Sequence, residues 1–305
     1  MMGYLARRLA TTVPLLLGIV VMSFLFMRLA PGGPFDTERA LDPQVRANLE
    51  ARYGLDRSLP EQLGLYLGGL LRGDLGPSFQ YVGWSVREIL AQGAPISFAL
   101  GAAALCIALL LGIPLGVLGA LHHNRWQDQL TTTLALVGVC VPNFVLGPLL
   151  ILVFVFALQW LPVGGFGSFQ QLILPALTLG AVRAAYIARL TRTGMLDVLE
   201  QDFVRTARAK GLSELSVVTR HALRLALLPV VQYLGPAIAS ILVGSVVVER
   251  IFGVPGLGSF FINAALNRDY TLAMGSVLLY STLLILLNLL ADLLSRLLDP
   301  RVDLS

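Results

Sequence analysis

The sequence predicts an all-α integral membrane protein with six transmembrane helices, and two observations carry that prediction. Of its 305 residues, 56% are hydrophobic and only 13% charged, with a mean hydropathy of +0.77. An ordinary soluble domain carries roughly 25% charged residues. A bilayer core about 30 Å thick is crossed by about 20 mostly apolar residues at 1.5 Å each. Six stretches meet that length, at roughly 9–29, 96–120, 130–157, 171–190, 229–248 and 272–295.

The N-terminus, MMGYLARRLATTVPLLLGIVVMSFLFMRLAPG, resembles a secretory signal because Arg7 and Arg8 precede an apolar run. The run is too long and no small-x-small cleavage site follows, so it reads as a retained first helix. The segment 30–95 is patterned enough to form a small ordered cap on the outer face. Within it, DPQVRANLEARYGL predicts a short amphipathic helix with Val45, Leu49 and Tyr53 on one side and Gly54 at its end. A second short helix is expected after Pro60, and RGDLGPSFQY calls for turns.

Small residues recur every four positions in the second span (Gly112, Gly116, Ala120) and in the fourth (Ala176, Gly180, Ala184, Ala188). In lipid, where leucine against leucine gains little, such seams let backbones approach; a sliding face needs the same residues, and packing is the favoured reading. Pro114, Pro142 with Pro148, and Pro236 predict kinks or local unwinding. Two ionisable residues fall inside spans, Arg183 and Asp292. A charge at the bilayer centre costs at least about 2.5–3.5 kcal/mol on insertion scales, so each should face protein, water or an interface. Arg183 reads either as lining a pore or, the favoured reading, as snorkelling toward Arg189 and Arg192. Asp292 is expected to pair locally with Arg296. Cys106 and Cys140 read as small apolar residues. Histidines 122, 123 and 221 are too few and scattered for a closed metal site.

Orientation follows from the arginines, because short cytoplasmic loops retain positive charge. With the N-terminus inside, the short inner segments hold twelve basic residues: Arg7, Arg8, Arg125, Arg189, Arg192, Arg205, Arg208, Lys210, Arg220, Arg224, Arg296 and Arg301. The outside would hold Arg250 and Arg268 after the fifth span, none near 157–170, and in the long segment 28–95 seven arginines offset by eight acids; a loop that long translocates largely regardless of charge. Both termini are therefore expected in the cytoplasm.

The stretch DFVRTARAKGLSELSVVTRHALRLALLP, 202–229, is too polar to span and too short to be a domain. Its spacing predicts a helix to Lys210, a left-handed turn at Gly211, and a second helix capped by Ser213 with Leu215, Val218, Ala222 and Leu225 on one side. Three roles compete for such a basic amphipathic unit: lying on anionic headgroups, binding nucleic acid, or docking a soluble partner protein. No aromatic platform or recognised domain supports nucleic acid.

The residues RTARAKG at 205–211 and RHALRLALLP at 220–229 resemble the cytoplasmic loop of permease subunits in bacterial ATP-binding-cassette (ABC) importers, in the form of the dipeptide and oligopeptide branch. Arg205 and Thr206 stand where the general importer pattern has Glu and Ala, while Ala207 and Gly211 are kept. LARRL, MRLAPGGPF, GDLGPSF, GIPLGVLGAL, ILPALTLG and VERIFGVPGLG extend the likeness along the chain. MRLAPGGPF, GPSFQY and ALNRDY look most like the B subunit of oligopeptide permeases.

The resemblance implies a type I ABC importer permease fold in the bacterial inner membrane. Its divisions would be 1–29 as N-terminal segment and first span, 30–95 as periplasmic cap, 96–295 as transmembrane core, and 296–305 as cytoplasmic tail. Within the core it implies a cytoplasmic coupling loop at 191–228 and a periplasmic loop at 249–271. Two related permease subunits would form the path, two ATPases would drive it, and a periplasmic or lipid-anchored binding protein would deliver cargo, with membrane lipids around the assembly. The coupling helix would dock an ATPase through Arg205, Thr206, Ala207, Arg208, Ala209, Lys210, Gly211 and Leu212, with small Ala207 and Ala209 permitting close approach. ATP and Mg would be bound by the ATPases, with no cofactor on this chain.

Independently of any family, the only lysine is Lys210, within RAKGL, so no GxxxxGK[ST] phosphate loop exists. No acid, base and nucleophile constellation is evident either, and the chain by itself is not expected to be an enzyme. In VERIFGVPGLGSFFINAALNRDY, Gly253, Pro255, Gly256 and Gly258 shape a loop before a short helix that Ser259 is placed to cap. That loop reads either as an outer gate or as packing against the sixth span. The competing function is a stand-alone ion-coupled transporter, disfavoured by the missing inverted repeat and the absence of paired intramembrane acids. With the same fold, dipeptides, glutathione or nickel chelates are alternative cargoes to oligopeptides.

Overall fold

A computed structural model describes residues 2–29, 32–35 and 42–298, with side chains for 10–29, 32–35 and 42–290 apart from Pro43 and Arg46. Arg7, Arg8, the Asp292–Arg296 pairing and Arg301 lie outside the described side chains. The elements are α1 Met2–Leu29, α2 Pro43–Arg52, α3 Leu59–Leu71, α4 Val86–Leu121, α5 Trp126–Cys140 and α6 Asn143–Leu150, which continues as a π-helix over Ile151–Ala157. After these come α7 Phe169–Leu199, α8 Asp202–Ala209, α9 Glu214–Ser216, a π-helical turn Val217–Ala222, α10 Leu223–Ala226, α11 Leu228–Phe252, α12 Leu257–Leu266 and α13 Tyr270–Leu298.

Helices α1, α4, α7, α11 and α13 are each long and apolar enough to cross a membrane, and α5 with α6 makes a sixth span only as a pair bent by 109°. The bend is the break expected at Pro142. Proline disfavours the helical region for the residue before it, and Val141 is extended at ψ 115°. By contrast, α4 runs on through Pro114 and α11 through Pro236.

The chain forms two compact units, Met1–Ile96 with Pro255–Ile285, and Ser97–Val254 with Leu286–Ser305. The segment expected as a separate cap therefore packs together with α12 and the first part of α13. In this first unit α2 begins at Asp42, whose Oδ1 accepts the Gln44 N–H at 2.8 Å. It ends with Gly54 at φ +64°, where Gly54 N–H donates to Ala51 O and Leu55 N–H to Glu50 O. Of the anticipated apolar stripe, Tyr53 packs its ring 5.6 Å from Phe35 and 4.9 Å from Phe79, whereas Val45 stays 48% exposed. The turn predicted around Gly73 and Gly76 forms at φ +74° and +84°. It delivers Ser78 and Gln80 to a buried acid, Asp269, which accepts from Ser78 Oγ, Gln80 N–H and Leu272 N–H and so caps α13. Beneath lies a core of Val86, Ile89, Leu90, Leu257, Ala264, Leu272 and Ala273.

In the second unit the small-residue seams meet each other. A Cβ on Gly112 would lie 2.7 Å from Ala184 O, one on Gly116 2.5 Å from Ala188 O, and one on Gly180 2.6 Å from Ala104 O. Glycine is therefore required for α4 and α7 to approach this closely. Fully buried Ser97 and Glu249 join α4 to α11 through a 2.7 Å hydrogen bond.

Candidate functional site

The basic loop is a compact structure mounted on the end of α7. Helix α8 closes with Gly211 at φ +76°; Gly211 N–H donates to Arg208 O at 2.9 Å and Leu212 N–H reaches Ala207 O at 3.4 Å. These are the two bonds of a Schellman cap, which satisfies carbonyls that the helix end would leave orphaned. Thr206 Oγ1 donates to Asp202 O one turn back. Arg208 donates from Nε and Nη2 to the two oxygens of Glu214 at 3.1 and 2.6 Å, bridging α8 and α9. These bonds hold the Glu214 carboxyl below its ordinary range and raise Arg208.

Seven of the eight residues expected at the docking surface lie on the outside. Arg205, Thr206, Arg208, Ala209, Lys210, Gly211 and Leu212 are exposed, but Ala207 is not. Ala207 is 6% exposed and sits in a core with Met195, Val198, Val204, Val217, Val218, Ala222 and Ala226. Its small side chain lets α8 approach its own scaffold, so Ala209 is the small residue left facing out. The second stripe is also revised. Val217 opens a π-helical turn, in which i→i+5 bonding brings Ala222 under Val217. Val217, Val218, Ala222 and Ala226 consequently turn inward, while Leu215 and Leu225 are 75% and 43% exposed. Ser213 occupies the cap position of α9, with its carbonyl accepting from Val217 N–H and no side-chain cap bond. Phe203, Leu212 and Leu215, at 37%, 42% and 75%, put large apolar surface on the outside of a loop whose charge dominated the sequence reading.

At the other predicted element, Gly253 ends α11 at φ +63°. Gly256, not Ser259, caps α12: Gly256 is extended and its carbonyl accepts from Phe260 N–H, so Ser259 falls inside the first turn. Pro255 is exposed and Gly256 and Gly258 are buried.

Sequence reasoning missed a polar clamp. Asp128, only 4% exposed in the first turn of α5, accepts from Arg192 Nε at 2.6 Å and Nη2 at 2.8 Å, and from Asn124 N–H at 2.9 Å. His123 Nδ1 lies 3.4 Å from Asp128 and 3.2 Å from Arg192 Nη2. The clamp fastens α7 about two turns before its end at Leu199. The available signal was an acid in HHNRWQD at the start of an apolar helix, where an unpaired carboxylate would be costly.

An all-helical bundle with a broken span, glycine seams and a capped basic helix mounted on α7 is the architecture of an ABC-importer permease. Solved structures agree on the fold. The inward-facing MetNI methionine ABC transporter aligns with a TM-score of 0.58 at 17% identity, over 69% of this chain and 96% of that one. An amino acid ABC transporter crystallised with histidines gives 0.53 at 17% identity, over 69% and 94%. The chain belongs to the family of binding-protein-dependent transport system inner membrane components, which matches residues 112–304. It is 45% identical over 304 residues to the oligopeptide transport system permease proteins OppB of Haemophilus influenzae and of Escherichia coli K12, covering 99% of both chains in each case. To the dipeptide transport system permease DppB of Bacillus subtilis it is 42% identical, over 100% of this chain and 99% of that one. The chain is thus a multi-pass inner-membrane permease component of a peptide-type ABC importer. It works with a binding protein and an ATPase and is not itself catalytic; ATP belongs to the ATPase.

Proposed function

We propose that this chain is one of two homologous permease subunits forming the path of an oligopeptide importer, with two ATPases docked on the cytoplasmic side. The binding protein would be periplasmic or lipid-anchored. Both termini lie in the cytoplasm on this reading, supported by the arginine distribution, and 30–95 faces the periplasm. The oligopeptide assignment is supported by full-length similarity to oligopeptide permeases. Docking through α8 is supported above all by its form: a short helix, closed by Gly211, presenting Arg205, Thr206, Ala209, Lys210 and Leu212 outward. Neighbouring Phe203 and Leu215 add the apolar area that interface centres favour over charge. The segment containing Gly253, Pro255, Gly256 and Gly258 is read as an outer gate element.

Gly211 supplies the test. A Cβ there meets nothing within 4 Å, so a substitution acts through backbone conformation alone. A β-branched residue at φ +76° is strained by about 1–3 kcal/mol, whereas asparagine tolerates the left-handed region. In complexes reconstituted with both ATPases and the binding protein, Gly211→Val is expected to lower peptide uptake at least tenfold and Gly211→Asn to retain most of it. Normal uptake and normal substrate-stimulated ATP hydrolysis in Gly211→Val would remove α8 as the docking element. Cargo is tested with the same vesicles by comparing oligopeptides with dipeptides, glutathione and nickel chelates; preference for any of the last three over oligopeptides rejects the cargo assignment.

A further inference from the structure

Helix α7 is the least apolar of the long helices and the most buried, yet one side of it is only partly covered within its unit, with Arg189 exposed and Arg183 and Tyr186 half-buried. Along that side run Arg183, Tyr186 and Arg189 at i, i+3 and i+6. The helix has 31 residues, about 46 Å, and overshoots a 30 Å hydrocarbon core by about 16 Å. Arg183 is 14 residues after Phe169 and 16 before Leu199, so it remains inside the core whichever end carries the overshoot. Its Nε is buried without a hydrogen-bond partner, so part of the guanidinium is desolvated. Arg189 lies over the Tyr186 ring at 5.9 Å, and Tyr186 stacks on Tyr233 of α11 at 5.8 Å. Among the described residues no carboxylate pairs either arginine.

Tyr186 and Arg189 also border a cavity of about 350 Å³ among α4, α5 and α7, with Leu115 of α4 and Thr132, Ala135 and Leu136 of α5 on its other walls. Arg192 reaches the same cavity but is already neutralised by Asp128. The space offers an apolar wall beside a cation that carries no anion.

We propose that this face of α7 lines the path, and that Arg183 and Arg189 receive the carboxylate of a passing peptide. The inference rests on the oligopeptide reading above and adds the chemical group recognised. Two cations placed about 9 Å apart along the helix, with an aromatic ring between them, give an anionic terminus successive stations and no deep trap. An anionic lipid would satisfy Arg189 equally well. Its headgroup, however, stays outside the hydrocarbon core in which Arg183 lies, which favours cargo over lipid.

The test uses the whole transporter in proteoliposomes and one peptide without acidic side chains, supplied as the free acid and as the C-terminal amide. Each uptake rate is scaled to wild type with the same peptide, which removes any preference of the binding protein. Arg183→Gln and Arg189→Gln are each expected to lower free-acid uptake at least fivefold and to leave amide uptake within twofold. Arg183→Lys and Arg189→Lys should restore most of the free-acid rate. Equal losses for both peptides, no loss for either, or a loss that follows the anionic-lipid content of the vesicles would overturn the proposal while leaving the importer assignment intact. If wild type imports neither form but does import a different cargo, the oligopeptide reading fails and this inference fails with it.

Discussion

Gly194→Ala, the addition of one methyl group, is expected to cut transport at least about fivefold. Gly194 lies near the C-terminal end of α7, and a Cβ on it would fall 2.4 Å from Ala226 O and 3.2 Å from Ala226 C and Cα. All three are backbone atoms, so no rotamer change relieves the contact; the carbonyl must retreat by about 1 Å to reach ordinary separation. Overpacking of this kind costs about 1–3 kcal/mol, and 1.4 kcal/mol is a factor of ten. The strain falls on the core in which Met195 and Val198 of α7 hold Val204, Ala207, Val217, Val218, Ala222 and Ala226. Loosening that core frees α8 from α7, so on the docking reading proposed above uptake falls more than membrane insertion does. Gly64→Ala is the control. It sits in α3 with nothing within 4 Å, and alanine there should be neutral or gain a few tenths of a kcal/mol from helix propensity. Uptake and expression measured side by side decide the matter: equal uptake for the two variants would mean that the mounting of the loop on α7 is not rigid.

Features governed by local chemistry were legible in the sequence. The six apolar stretches, the break at Pro142, the left-handed turns at Gly54 and Gly211, and the α4–α7 seam all follow from residue type and spacing alone. What was not legible depends on which partner lies across a helix. Ala207 is placed at a docking surface by the family resemblance, and is interior because α8 packs it into a core with Met195, Val198, Val217 and Ala222. Leu215 and Leu225 leave the core because a helical stripe counted at 3.6 residues fails where the π-helical backbone inserts an extra residue per turn. Asp269 and Glu249 were passed over because each is satisfied by hydroxyls far along the chain, Ser78 and Ser97, and spacing carries no trace of such pairs. For Arg183, spacing points toward Arg189 and Arg192, and what spacing does not carry is that its Nε is buried without a hydrogen-bond partner.

The clamp between α5 and α7 should dominate the stability of the second unit. Asp128→Asn removes the charge that faces Arg192 while keeping shape and one hydrogen-bonding oxygen, so the loss is electrostatic. Breaking a buried pair costs about 3–5 kcal/mol, because the surviving charge remains desolvated. The Arg192 side chain is 26% exposed, which shifts the expectation to the lower end, about 3 kcal/mol. Asp128→Asn should therefore lower the thermal midpoint of the detergent-solubilised complex by several degrees. Arg192→Met, which strands the carboxylate, should cost at least as much, because Asp128 is the more deeply buried partner at 6%. The double replacement Asp128→Leu with Arg192→Met removes both charges and fills the site with apolar atoms, which in other buried pairs is neutral or stabilising. It is expected to recover most of the lost midpoint, so that in the double-mutant cycle built with Asp128→Leu and Arg192→Met as the single variants the losses are strongly non-additive. Additive losses would show that the clamp contributes no pairwise energy and that α5 is held by packing alone. Recovery of stability without recovery of uptake would instead mean that the ion pair is needed in a second conformation, since apolar replacements hold one packing and cannot re-form a bond after α7 has moved.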